Sequence, residues 1–264
     1  MVEGRIAVRE LLRSPFTVLS LLVDDHQVIA AADLVAAVRA TGAPVYVASR
    51  PVVAATVGFA LHRGVVAAAR RPPPADAGQL LATVARQPGA GAGPPVVAVV
   101  EGVNDHENLG ALFRNAAAFG VGAVLLDPTS ADPLYRRAVR VSVGHALQVP
   151  FARLSPWPTA IDELRRAGWT VAALVAHQPV RSRARCDVLS AQALADLVRA
   201  GSGPDRATAP RRGVAVLLGA EGPGLSDPAL AAADHLVRIA MAPGVDSLNV
   251  ATAAAIVFHH LAGS

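Results

Sequence analysis

The chain has 264 residues, 53% of them hydrophobic, a formal net charge of +4 and one cysteine, Cys186. That length allows one large domain or two modest ones with a sizeable core. The lone cysteine excludes an internal disulfide and a multi-cysteine metal site, and no apolar run reaches the roughly 18 residues of a membrane span. All 24 basic residues are arginine. Codon usage in a GC-rich genome accounts for this, yet the outcome suits polyanions, because a guanidinium grips phosphate with two parallel hydrogen bonds. The charged start "MVEGRIAVRELLRSP" lacks an apolar signal core, so a soluble, cytoplasmic protein is expected.

In chain order, "TVLSLLV" (17–23) predicts a strand, 28–42 a helix, "PVYVAS" (44–49) a strand and "GVVAAAR" (64–70) another. Residues 71–95 are punctuated by proline and glycine around a helix-like "QLLATVARQ" and read as an interdomain connection. "VVAVVE" (96–101) is the continuous apolar run of a buried parallel strand. A helix around Arg114 follows, then "VGAVLLD" (121–127), a helix near 133–143, an "ALQVPF" strand (146–151) and a helix near 157–167. "TVAALVA" (170–176), a helix from Ser190 to about Arg199, a polar loop at 201–213, "GVAVLLG" (213–219), "DHLVRIAM" (234–241) and a helix from about Ser247 to Leu261 complete the chain. Strands alternating with helices predict an α/β fold with a mostly parallel sheet.

Several chemistries are absent. There is no phosphate-binding G-x-x-x-x-G-K-[ST], no G-x-G-x-x-G after a strand, no G-x-S-x-G and no H-E-x-x-H. His259 and His260 are adjacent and diverge by about 100° on a helix. His106 and Glu107 could form a catalytic pair but read as polar residues at a helix start. Cys186 in "RSRARCDV" reads as incidental. No metal is expected.

Three constellations remain. In "EGVNDHENLGALFRNAAAFG" (101–120), Asn108 is placed to cap a helix, and Gly110 and Arg114 share one face of it. In "VAVLLGAEGPGLSDP" (214–228), Gly219, Gly222 and Gly224 follow a strand with Glu221 among them. Such glycines permit positive φ and close backbone approach. In "RIAMAPGVDSLNVATAAAIVFHHL" (238–261), Asp246 or Ser247 can cap a small-residue helix.

Together the three resemble the motifs of the SpoU-TrmH class of the SPOUT RNA methyltransferases: N-x-G-x-x-x-R, G-x-E-G-x-G after a strand, and an S-L-N-V helix start. The resemblance covers about 95–264. This chain departs in Asp105-His106-Glu107-Asn108 for D-P-x-N, Ile239-Ala240-Met241 for I-P-M, and Ala251 after the S-L-N-V. Residues 1–70 resemble the small α/β RNA-binding domain similar to ribosomal protein L30e. The implied organisation is an L30e-like domain at 1–70, a linker at 71–95 and a SPOUT methyltransferase domain at 96–264 whose parallel sheet ends in a C-terminal trefoil knot.

The resemblance further implies a homodimeric, S-adenosylmethionine-dependent enzyme that methylates a ribose 2′-hydroxyl of structured RNA, rRNA ahead of tRNA. Cofactor contacts carry over to Leu218, Gly219, Ile239, Met241 and Leu248. Arg114 carries over as the catalytic arginine, with Asn108, Glu221, Ser247 and Asn249 lining the site. A guanidinium is too weak an acid to serve as a base at neutral pH, so Arg114 is expected to clamp phosphate and polarise the hydroxyl. The small faces Ala116–Ala118 and Ala253–Ala255 suit the dimer contact, and Arg50, His62, Arg63, Arg70 and Arg71 suit RNA phosphates. Two other readings keep the same motifs: a non-catalytic, ribosome-associated RNA-binding protein, and an rRNA methyltransferase that confers antibiotic resistance.

Overall fold

The structure, a computed structural model, describes residues 1–59, 61, 63–89, 93–176, 188–201 and 212–262. His62, Cys186 and most of the 201–213 loop lie outside the described residues. Among the described residues the elements run β1 (Val2–Glu3), α1 (Arg5–Leu12), β2 (Val18–Asp24), α2 (Ala32–Ala40), β3 (Val45–Ala48), α3 (Arg50–Val57), β4 (Val65–Ala69), α4 (Ala77–Val84), β5 (Val96–Glu101), α5 (His106–Ala118), β6 (Ala123–Leu126) and α6 (Arg136–Val141). They continue as β7 (Phe151–Arg153), α7 (Ala160–Arg166), β8 (Trp169–Leu174), β9 (Val188–Leu189), α8 (Ala191–Ala200), β10 (Gly213–Gly219), α9 (Asp227–Ala231), β11 (His235–Val237) and α10 (Val250–Ala262).

The chain divides into two units, Met1–Pro73 with Asp132–Gln148, and Pro74–Ala131 with Val149–Ser264. The first holds a four-stranded sheet in the order β1-β4-β2-β3, parallel only between β2 and β3. Residues 132–148 fall in the methyltransferase segment of the sequence reading, yet they pack here. α6 lies on β1, and its Arg136 and Arg140 reach the buried carboxylate of Glu3 at 3.1 and 3.9 Å. The Arg136 guanidinium also sits 3.6 Å from the centre of the Phe59 ring.

The second unit is a seven-stranded, wholly parallel sheet in the order β7-β6-β5-β10-β8-β11-β9. Its central strands are apolar throughout because both faces are covered. Val97, Val99, Ala215, Leu217, Val171 and Ala173 pack under α4, α7 and α9. α4 arises inside the 71–95 connection and rests on β6 and β7. On the opposite face α10 packs against α5 and α8. The chain steps outward from β5 to β6 and β7, and β10 later inserts between β5 and β8. Such a reversal of strand order opens a crevice at the carboxyl ends of the strands.

Two expected elements differ. "ALQVPF" forms a 3₁₀ turn at His145–Leu147 and a strand only from Phe151, because Gly144 enters the left-handed region and redirects the chain. "DHLVRIAM" is a strand only over His235–Val237. α1 and α3 are additional to the expected elements, α1 burying Ala7, Val8 and Leu11 along one face.

Asp127, buried at the end of β6, ties the neighbouring strand ends together. Its carboxylate accepts from the backbone N–H of Gly102, Thr129 and Ser130 and from both hydroxyls. Burial pushes its pKa up, but the hydrogen bonds of Ser130, Thr129 and Gly102 outweigh this and hold it below the ordinary carboxylate value. A lowered folded pKa stabilises above the unfolded value of about 3.9 and is lost as pH falls through the folded value. Asp127→Asn should cost about 2 kcal/mol at pH 7. In urea denaturation the gap between wild type and variant should narrow below about pH 4, and a gap unchanged at pH 3 would contradict this account.

Candidate functional site

Strand and helix ends place Leu218, Gly219, Asn108 and Asn249, while Glu221, Ile239, Met241, Ser247 and Leu248 lie in the connecting loops and Arg114 lies within α5. β10 carries Leu218 and Gly219 to the carboxyl edge of the sheet, in register with Val100 and Glu101 of β5. A Cβ on Gly219 would lie 2.3 Å from the carbonyl carbon of Gly224 and 2.4 Å from the amide of Leu225. Only glycine therefore lets the next loop fold back over the strand end. The backbone that approaches Gly219 is the loop's own. The N–H of Gly224, at φ 71°, closes the turn by donating to Ala220 O at 3.0 Å.

α5 starts at His106 because Asp105 caps it, accepting from the N–H of Glu107 and Asn108 at 2.8 Å each. This corrects the expectation that Asn108 caps the helix. Asp105 occupies the cap, which frees the Asn108 side chain for a longer-range contact. The last helix is corrected likewise. It starts at Val250, and its cap is Asn249, whose Oδ1 accepts from Ala251 N at 3.0 Å and Thr252 N at 3.2 Å. Neither Asp246 nor Ser247 takes that role.

The freed groups meet. Nδ2 of Asn249 donates to Oδ1 of Asn108 at 2.7 Å and to Oε1 of Glu221 at 2.8 Å. One side chain thus joins the first turn of α5, the glycine loop and the start of α10. Beside it is a cleft of 410 Å³ at the carboxyl ends of β8 and β10 and beyond the end of β11. Leu218, Gly219, Ile239, Met241 and Leu248 all line it, together with Glu221, Ser247 and Asn249. Among the described residues Glu221 is the only formal charge in the lining. The Ser247 hydroxyl has no hydrogen-bond partner among the described residues.

Arg114 is placed apart. It is exposed on α5, does not line the cleft, and has no hydrogen-bond or ion-pair partner among the described residues. Of the small faces, Ala116 and Ala254 are buried within the chain, Ala117, Ala253 and Ala255 are half-buried and Ala118 is exposed, and Asn115 Nδ2 donates to Ala251 O at 2.7 Å. Sequence reasoning passed over Glu101. Its carboxylate accepts from Trp157 Nε1 at 2.7 Å and from the hydroxyl and N–H of Ser226 at 2.7 and 2.9 Å. An acidic residue closing an apolar strand reads equally as a solvated strand end, so no local signal marked it.

The SpoU rRNA Methylase family model matches residues 95–259, and the model described as RNA 2′-O ribose methyltransferase substrate binding matches residues 1–75. An uncharacterized tRNA/rRNA methyltransferase of Mycobacterium bovis is 45% identical over 98% of this chain and 79% of its own length. A 23S rRNA (guanosine-2′-O-)-methyltransferase of Vibrio vulnificus is 30% identical over 61% of this chain and 56% of its own. Among solved structures, the SpoU methyltransferase AviRb of Streptomyces viridochromogenes in complex with AdoMet superposes with a TM-score of 0.72 at 19% identity, covering 98% of this chain and 88% of that one. An AdoMet-bound rRNA methyltransferase of Sinorhizobium meliloti gives 0.69 at 23% identity over 98% and 85%. At these identities the two structures share the fold.

Asn249 has two separable duties, and two substitutions should separate them. Asn249→Ala removes the cap and the bridge and should cost about 1 kcal/mol. Asn249→Ser keeps a capping oxygen but cannot span to Asn108 and Glu221, so it should cost only a few tenths of a kcal/mol. Chemical denaturation of both variants reads this. Equal losses would show that the bridge, and not the cap, supplies the stability.

Proposed function

The chain belongs to the SpoU rRNA methylase family, and we propose that it transfers a methyl group from S-adenosylmethionine to a ribose 2′-hydroxyl of structured RNA, ribosomal RNA ahead of transfer RNA. The observation that carries this reading is the meeting of Asn108, Glu221 and Asn249 beside a cleft lined by every residue expected to touch the cofactor.

The cleft suits that cofactor. Its volume falls in the range of small-molecule sites, about 300–1,000 Å³. The aliphatic side chains of Leu218, Ile239 and Leu248 offer a dry surface for a purine, and the glycine loop offers main-chain groups. Among the described residues its lining holds no cation and one carboxylate, Glu221, which matches a sulfonium better than a pyrophosphate. Bound there, S-adenosylmethionine supplies an electrophilic methyl group. Its transfer would form a carbon–oxygen bond at the 2′-position as the carbon–sulfur bond breaks, with S-adenosylhomocysteine as the leaving group and the hydroxyl proton passing to water or a phosphate oxygen. In this reading Asn249 holds Glu221 and Asn108 in place, the Ser247 hydroxyl is available to the substrate, and alignment of the reacting atoms supplies much of the rate. Arg114, permanently charged, clamps a phosphate and polarises the hydroxyl. No residue here requires a metal.

Because Arg114 lies outside its own chain's cleft lining, the reading assigns it to the cleft of a second copy in a homodimer. The C-terminal trefoil knot implied by the resemblance belongs to the same reading. Arg114→Ala should leave S-adenosylmethionine affinity unchanged while single-turnover methyl transfer to RNA falls by about 10²-fold. Arg114→Lys should recover little, since a point charge cannot reproduce the two-pronged grip. Mixing Arg114→Ala with Gly219→Val subunits should restore one working site per heterodimer. Proven exchange with no recovered activity would place the arginine's action within its own chain. Comparing 2′-O-methyl sites in RNA with and without the protein identifies the target.

The N-terminal unit is proposed to hold RNA. Its arginines are not equivalent. Arg50 is paired with Asp24 and Arg71 with Asp132, whereas Arg63 and Arg70 have no ion-pair partner among the described residues. Replacing Arg63 and Arg70 with glutamine should weaken RNA binding and lower the slope of log affinity against log salt by about one per lost phosphate contact. An unchanged slope would remove both from the RNA surface.

A further inference from the structure

We propose that Glu101 is a positioning residue for the glycine loop of the cleft, and so sets cofactor affinity without touching the cofactor. This rests on the cofactor reading of the cleft given above. Glu101 ends β5, and its backbone is the register partner of Gly219, where the loop begins. Its carboxylate takes the N–H and hydroxyl of Ser226, where the loop ends. Both ends of the 219–226 turn are therefore referred to one residue. Between them Gly219, Ala220, Glu221, Gly222 and Gly224 line the cleft, and none of Glu101, Trp157 and Ser226 does.

The geometry favours a carboxylate specifically. Glu101 has the parity of Val97 and Val99, which face the core beneath α4, α7 and α9. From there Oε1 accepts from Trp157 Nε1 and Ser226 Oγ while Oε2 accepts from Ser226 N. An ionised carboxylate satisfies all three donors and strengthens each bond. An amide offers one accepting oxygen and would turn an NH₂ group toward a donor. Ser226 passes the restraint on, since its hydroxyl also accepts from Ala229 N at 3.4 Å as the cap of α9. Besides this anchor the loop is held by Leu225, which is buried in the core, and its cleft-lining part has no buried side chain. Gly222 and Gly224 carry no side chain to pack, and Glu221 points to Asn249.

The test uses the full chain and two readouts. Calorimetric titration with S-adenosylmethionine gives Kd for wild type, Glu101→Gln, Ser226→Ala, the double variant and Trp157→Phe. Amide hydrogen exchange without ligand gives protection at Gly224, whose N–H is bonded to Ala220 O. Glu101→Gln should raise Kd about tenfold, the scale of one hydrogen-bonded charge. Ser226→Ala should raise it less, and the double variant should match Glu101→Gln. Protection should fall at Gly224 but not in β10. Trp157→Phe, which keeps the Ser226 contact, should lower the melting temperature and leave Kd within about twofold. Equal melting losses in Glu101→Gln and Trp157→Phe with Kd unchanged in both would overturn the proposal, as would multiplying effects in the double variant. If Glu101→Gln fails to fold, Ser226→Ala carries the comparison. If wild type does not bind S-adenosylmethionine, the cofactor reading fails by itself. Exchange at Gly224 then decides the positioning role, and unaltered protection overturns it.

Discussion

The side-chain amide of Asn249 is the point on which the site depends. Its oxygen caps α10, and its nitrogen reaches Asn108 on α5 and Glu221 in the glycine loop. These segments come from distant parts of the chain, and an amide is the only uncharged side-chain group that can serve all of them. It accepts at one end and donates twice at the other. Serine could cap but could not span. Aspartate could cap but would place a second carboxylate against Glu221. The requirement for asparagine is thus a count of donors and acceptors.

That junction is useful only because the elements beneath it are stiff. β10, β5 and β8 are parallel and fully buried, so the positions of their carboxyl ends are set by sheet register. Gly219 then lets the loop lie flat against the strand end, and Asp127 and Glu101 fix the loops on either side with several hydrogen bonds each. Among the described residues the cleft has an aliphatic floor and a single carboxylate, and its polar atoms are nearly all main-chain or already bonded to one another. Such a site has few side chains to reorganise when a ligand arrives, which favours preorganisation.

The parallel sheet was legible because buried strands such as "VVAVVE" and "GVAVLLG" are continuous apolar runs. Part of the cleft lining was legible from the second and third motifs and the resemblance they support, whereas Asn108 and Arg114 of the first motif lie outside the lining. The helix starts were less legible. In "NDHEN" Asn104, Asp105 and Asn108 are all good capping residues; Asp105 takes the cap, and Asn108 is met by a partner from across the fold. α3 was hidden by Pro51 and a run of valines that read equally as extended chain. Glu101 could not be read at all. Its partners lie 56 and 125 residues away, and nothing local distinguishes it from a solvated strand end.

The arginines show why composition alone points only weakly to function. Arg50, Arg71, Arg136 and Arg153 are committed to carboxylates or main-chain carbonyls inside their own units. They stabilise structure and offer little to a polyanion. Arg114, Arg63 and Arg70 have no such partner among the described residues. An exposed guanidinium without a partner contributes almost nothing to folding, so stability does not explain its placement on a helix otherwise packed with small residues. In the proposed reading the same absence is an advantage. A cation that forms no internal pair loses none when it meets a phosphate, and its full attraction is available to the substrate. In that reading the basic excess of the chain overstates its capacity for RNA, because among the described residues arginines such as Arg50, Arg71, Arg136 and Arg153 are already committed.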